Sequence, residues 1–181
     1  MNKTVKAIVC VCGGSSVSAE EYKFAEQVGE ALAKRNFQCR TGGYGGCMEA
    51  SLKGCQLNGG VSEGIVVPSL YKDQENPYIT KRTQVDNLFQ QVEYLVNKSD
   101  VVVVLPGCLG SFNELIAVLT SNYINGFNDR PIKPVFVFKK PYFNIWECIC
   151  TNLHVSDKVK NYVTFVDSLD ELCSKLDEYY P

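Results

Sequence analysis

Short apolar runs alternate with amphipathic stretches along the chain. Val5 to Cys12 is apolar except for Lys6 and reads as a strand buried on both faces. Gly13-Gly14-Ser15-Ser16 follows as a loop, and Ser18 with Glu21 three positions on has the pattern of a capping box. The helix it opens runs to about Arg35, with Tyr22, Phe24, Ala25, Val28, Ala31 and Leu32 as its apolar face. Phe37 to Thr41 is a second strand, Gly42 to Gly46 a second glycine-rich loop, and Met48 to Asn58 a helix closed by Gly59-Gly60. Gly64 to Val67 is a third strand stopped by Pro68. The polar stretch from Ser69 to Thr83 has no period, and Val85 to Lys98 returns to helical spacing. Val101 to Leu105, five consecutive apolar residues, is the strongest strand. Pro106 to Ser111 forms a third glycine loop, Asn113 to Tyr123 a helix, and Asn125 to Pro134 a polar loop. Val135 to Phe138 and Val163 to Val166 read as strands. Phe143 to Leu153 reads as a helix, and so does Ser168 to Tyr179, with Ser168 as N-cap.

Strands alternating with helices predict an α/β fold, a doubly wound parallel sheet with helices on both faces. With no repeat and no linker, residues 1–181 are expected to form a single domain. A chain this long buries enough surface for a full core without metals or disulfides. Its net charge of −2 offers no electrostatic case for nucleic-acid binding. The nine cysteines include no CxxC pair and the chain has one histidine, His154, so no metal site is indicated. Reduced, buried thiols fit a cytoplasmic protein. The N-terminal apolar run is too short for a signal peptide, and no stretch approaches the ~20 apolar residues of a membrane span.

The three glycine-rich segments carry the candidate chemistry. Each follows a strand and precedes a helix, where doubly wound sheets hold ligands. Glycine lets backbone approach a ligand, and a helix N-terminus offers free N–H groups to a phosphate. No GxGxxG with a following acidic residue and no GxxxxGK[ST] is present, so neither a dinucleotide cofactor nor an NTPase loop is indicated.

Pro106-Gly107-Cys108-Leu109-Gly110-Ser111-Phe112-Asn113-Glu114 resembles the PGGxGTxxE signature of the LOG family of phosphoribohydrolases. Gly42-Gly43-Tyr44-Gly45-Gly46-Cys47-Met48 is similar to that family's GGGxxGLMG segment, and Cys12-Gly13-Gly14-Ser15-Ser16 to its CGSS turn. The resemblance spans roughly residues 5 to 170, in family order. It implies a Rossmann-like homodimer, without metal or organic cofactor, that cleaves a nucleoside 5′-monophosphate such as AMP to free base and ribose 5-phosphate. Glu114 falls on the catalytic glutamate, which engages the ribose as oxocarbenium-like charge develops. Gly107, Cys108, Leu109, Gly110 and Ser111 fall on the phosphate loop, and Gly43, Tyr44, Gly45, Gly46, Ser15 and Ser16 on the other substrate-binding turns. Asp73 and Thr120 fall on or near further nucleotide contacts.

Two departures bear on activity. Gln91 stands where the family has an arginine, and a lost charge-assisted contact at a reacting centre costs orders of magnitude in rate. Lys81, Arg82 and Lys98 are the candidate substitute cations, and the sequence does not choose among them. Cys108 replaces the second glycine of the signature. A second reading is therefore a non-catalytic nucleotide-binding or carrier module, and a third is glycosyl transfer to an acceptor other than water. Fold similarity does not decide among them. Read without the motifs, Glu114 merely suits a helix dipole, Gln91 is a core-edge polar residue, Cys108 is packing and His154 a helix cap.

Overall fold

A computed structural model describes residues 4–70 and 74–181. Seven strands form one sheet: β1 (Ile8–Cys12), β2 (Gln38–Thr41), β3 (Ser62–Val66), β4 (Lys81–Gln84), β5 (Val101–Val104), β6 (Val135–Phe138) and β7 (Thr164–Val166). Their order is β4-β3-β2-β1-β5-β6-β7 and every pairing is parallel. The order reverses between β1 and β5, so the loops leaving these two strands diverge and open a crevice at the carboxyl edge.

Helices cover both faces, as the alternation predicts. α1 (Ala19–Lys34), α2 (Cys47–Leu57) and α7 (Leu169–Tyr179) pack on Val9, Val11, Cys39, Val101 and Val103. α3 (Leu88–Asn97), α4 (Leu109–Phe127) and α5 (Lys139–Asn152) pack on Cys10, Cys12, Ile65, Val102 and Val104. Central strands buried on both sides need no polar alternation, which is why β5 is four valines. The Ser18–Glu21 capping box closes α1: Glu21 N–H donates to Ser18 Oγ at 3.2 Å, and Ser18 N–H to Glu21 Oε2 at 2.8 Å. Asn87 and Ser168 cap α3 and α7.

α1 and α2 cross so closely that a Cβ on Gly29 would lie 1.9 Å from Ser51 O, and one on Gly54 1.9 Å from Glu26 O. Only glycine allows that approach.

The structure corrects the sequence reading in three places. The patternless stretch before Val85 contains β4, an edge strand whose Lys81, Arg82 and Gln84 are exposed. A short helix, α6 (Asp157–Lys160), precedes β7. α4 starts at Leu109, not Asn113, and runs to Phe127. Gly110 and Ser111 are therefore helical, in the first turn.

β2 and β3 carry a buried polar network. Arg40 donates to Glu63 at 2.6 Å, as does Gln38, while Thr83 and Lys81 reach the other carboxylate oxygen at 2.9 and 3.1 Å. Burial alone pushes the Glu63 carboxyl up, but Arg40, Lys81 and Thr83 outweigh it and hold it below the usual range. Arg40 and Lys133 also donate to Lys98 O and Val96 O, satisfying the last carbonyls of α3. Among the described residues no helix is long and apolar enough to cross a membrane.

Candidate functional site

The crevice between β1 and β5 holds a cavity of about 480 Å³ lined by the first and third glycine loops and by the chain leaving β6. Gly14, Ser15 and Ser16 border it from β1, Gly107 and Cys108 from β5, and Lys140 and Pro141 from β6. The loops are fastened to one another: Gly14 N–H donates to Pro106 O at 3.1 Å, and Cys47 N–H to Gly14 O at 2.8 Å. A Cβ on Gly107 would sit 2.3 Å from Ser111 Oγ and 2.8 Å from Gly14 N, so the loops close only around a glycine.

Cys108 is the N-cap of α4 and gives the helix no side-chain hydrogen bond. The first intrahelical donor is Phe112 N–H, to Cys108 O at 3.0 Å. The helix thus leaves the N–H groups of Leu109, Gly110 and Ser111 without intrahelical partners, at its positive end. Leu109 and Gly110 are exposed, and nothing lies within 4 Å of where a Cβ on Gly110 would stand. This end of the helix is open to solvent. The Ser111 side chain is buried against Gly107 instead.

Glu114 follows one turn behind, on the side of α4 facing the sheet. It keeps some surface accessible, but burial strips its carboxyl of hydration and pushes it up to about 7, against a smaller lowering by a hydrogen bond with the Cys12 thiol. Cys12 ends β1, with its sulfur 3.6 Å from that of Cys10. The Cys10 contact and burial, with the nearby Glu114 charge, hold Cys12 well above the usual thiol range. It is therefore a neutral neighbour. Tyr142 lies in the same electrostatic environment, its hydroxyl donating to Leu105 O at 3.2 Å. A carboxyl that titrates near neutrality beside a helix N-terminus is suited to acid–base or charge-stabilising work.

The other sequence-predicted residues are distributed unequally. Gly45 and Gly46 pack against Ser15, joining the second glycine loop to the first. Gly43 faces β3, with its carbonyl accepting from Asn76 N–H. Tyr44 is buried and its hydroxyl accepts from Val67 N–H at 2.6 Å. Gln91 is buried under the second loop, its amide donating to Ile65 O at 2.6 Å and Gly42 O at 3.4 Å. Thr120 lies elsewhere, in a second groove of about 480 Å³ between α4 and α5, with Trp146 and His154. Asp73 lies outside the described residues. Lys81 and Arg82 are engaged on β4, with Glu63 at 3.1 Å and Glu75 at 2.7 Å. Sequence reasoning missed Lys140. The signal was its position two residues beyond a buried strand that neighbours β5. Among the described residues no group of three His, Cys, Asp or Glu is arranged to hold a metal.

The profile of the SLOG cluster4 family matches residues 6–149. The chain belongs to that family. It is a divergent LOG-type member, and its relatives are distant. It is 28% identical over 127 residues to a cytokinin riboside 5′-monophosphate phosphoribohydrolase of Mycobacterium tuberculosis, covering 69% of this chain and 67% of that one. A pyrimidine/purine nucleotide 5′-monophosphate nucleosidase of Escherichia coli is 23% identical over 96% of this chain, which spans only 40% of that enzyme. Among solved structures, the molybdenum cofactor binding protein of Rippkaea orientalis superposes with a TM-score of 0.79 at 22% identity, covering 99% of this SLOG chain and all of the other. At that identity the likeness establishes the Rossmann-like fold.

Proposed function

We propose that this SLOG protein is a nucleoside 5′-monophosphate phosphoribohydrolase acting on an AMP-like purine nucleotide. The observation that carries the reading is Glu114, a desolvated carboxyl titrating near 7 one turn behind the free amides of α4. The phosphate sits on the amides of Leu109, Gly110 and Ser111 and beside Ser15 and Ser16. The ribose then lies over Glu114, whose ionised carboxylate stabilises positive charge at C1′ as the glycosidic bond lengthens. Water adds to C1′, the C1′–N bond breaks, and the base leaves with the pair of electrons and a proton. No step needs a metal or organic cofactor. Gln91 contributes no charge. It donates to two backbone carbonyls and so shapes the second loop from below. The names of the Mycobacterium and Escherichia coli relatives support this chemistry.

A non-catalytic carrier is the second reading, and one observation favours it: the position of the family arginine is a neutral side chain committed to backbone. Incubation with AMP, CMP, GMP and dAMP, followed by chromatography of the free base, separates the two. The hydrolase releases base from AMP, and Glu114→Ala abolishes release while keeping AMP bound. Saturable AMP binding with no release by the wild-type protein leaves only the carrier. We further propose a cytoplasmic homodimer: its thiols, all free among the described residues, suit a reducing compartment, and α3 and α4 expose adjoining apolar side chains.

A further inference from the structure

Lys139 and Lys140 leave β6 beside the end of β5, and they serve different ends. Lys139 Nζ is 3.5 Å from the Asp167 carboxylate and 5.3 Å from the centre of the Phe143 ring. Lys140 forms no ion pair among the described residues and lines the switch-point cavity across from Ser15, Ser16, Gly107 and Cys108. Its backbone is extended, with φ −92° and ψ 133°, between the end of β6 and the body of α5. Two residues on, the buried Tyr142 hydroxyl holds that segment to Leu105 O, the residue that precedes the third glycine loop. Lys140 is thus kept against the cavity by an anchor in the core.

No other described cation borders this space. Arg40 is buried with Glu63, Lys81 reaches the same carboxylate, and Arg82 is paired with Glu75. The cavity also has one carboxylate at its rim, Glu21, whose Oε2 already accepts from Ser18 N–H at 2.8 Å. The cavity therefore presents one unpaired ammonium, two serine hydroxyls and the glycine loop that leads into α4, with its single acid committed to a cap. That set recognises a phosphate dianion.

We infer that Lys140 is the residue that selects a phosphorylated ligand, gripping the phosphate from the β6 side of the cavity, opposite Ser15, Ser16 and the Gly107–Cys108 turn. The inference rests on seating the ligand at the switch point. It supplies from β6 the positive charge that Gln91 lacks, at the phosphate rather than at the reacting carbon.

The test compares Lys140→Ala and Lys140→Arg with wild type by calorimetric binding of AMP and of adenosine. Lys140→Ala is expected to weaken AMP binding roughly 10- to 100-fold, the cost of one charge-assisted hydrogen bond. Adenosine affinity should stay within about twofold, and Lys140→Arg should retain most AMP affinity. Undiminished AMP binding by Lys140→Ala, or equal losses for AMP and adenosine, overturns the inference. A second measurement separates it from the nucleotide reading. Cys108 is exposed and borders the same cavity, so its alkylation, read by peptide mass spectrometry, reports occupancy by inorganic phosphate alone. If wild type ignores AMP but phosphate slows Cys108 alkylation in a Lys140-dependent way, the phosphate grip stands and the nucleotide falls. If neither ligand binds or protects the wild-type protein, Lys140 has no such role.

Discussion

Glu114 carries opposite consequences for stability and for activity. Its carboxyl sits at about 7 in the folded protein because burial disfavours the charge, against about 4.3 for an exposed glutamate. Between those values the unfolded chain releases its proton while the folded one keeps it, so stability falls as pH rises and the full cost is present above 7. Glu114→Gln removes the titration at constant shape. It should leave denaturant stability nearly unchanged at pH 4 and raise it by about 3–4 kcal/mol at pH 8.5. Base release needs the carboxylate, so wild-type kcat/KM for AMP should climb through about pH 7 to a plateau, and Glu114→Gln should abolish it. A variant that is stabler and inactive marks a residue kept for chemistry; loss of stability at pH 8.5 argues against a desolvated carboxyl. Gly107, Ser15 and Ser16, which border the cavity, were legible in the sequence because glycines at strand ends constrain the backbone, and such spacing survives as a pattern; Glu114 stood out only through the LOG-like signature around it. Lys140 was not, because a lysine after a strand reads as ordinary surface until three loops are brought to one cavity. Gln91 was legible as a departure, but its bonds to Ile65 O and Gly42 O depend on how β2, β3 and α3 meet.

At the scale of elements, the sequence pattern served best where burial is complete. β1, β5 and β6 lie within continuous apolar runs, and β6 matches its run, while β1 starts at Ile8, three residues after the run opens at Val5. β4 left no pattern because an exposed edge strand needs none: it is held by backbone pairing to β3 and by Lys81 and Thr83 on Glu63. The start of α4 was hidden because Leu109-Gly110-Ser111 reads as loop, and only the seating of Ser111 on Gly107 makes its first turn visible. The α1–α2 crossing shows a conflict between local and tertiary preference. Glycine inside a helix costs about 1 kcal/mol relative to alanine, so propensity alone would make Gly54→Ala stabilising. Its Cβ would meet Glu26 O at 1.9 Å and Glu26 C at 2.8 Å, both backbone atoms that cannot turn aside. The helices must separate, and overpacking of this kind costs about 1–3 kcal/mol or more. We expect a net loss of about 2 kcal/mol in urea unfolding. A gain would mean that α1 and α2 lie farther apart than described.

At the scale of the molecule, the topology gathers the site and leaves one face uncovered. The switch between β1 and β5 splays their loops, so the cavity arises from strand order before any side chain is chosen. The same order places α3 and α4 side by side, and their outer surfaces carry Phe89 at 83% exposure, Phe127 at 73%, and Leu88, Tyr123 and Ile124 near half. Tyr123 and Phe127 already stack edge-to-face with centroids 5.1 Å apart, which makes a firm apolar ridge. Single exposed apolar residues are ordinary, and five large ones on two adjoining helices make this face the candidate contact of a dimer. A two-fold pairing of this face buries each ridge in its copy, and a stable pair needs about 800 Å² from each partner. Sedimentation of the wild-type protein should therefore give twice the chain mass at micromolar concentration. Phe89→Asp with Phe127→Asp places a charge at each end of that face and should yield a folded monomer with an unchanged circular dichroism spectrum, because neither side chain belongs to the core. If the double variant sediments like the wild type, the ridge is not the contact. If the wild type is itself a monomer, the apolar face has another partner and the cavity must work within one chain.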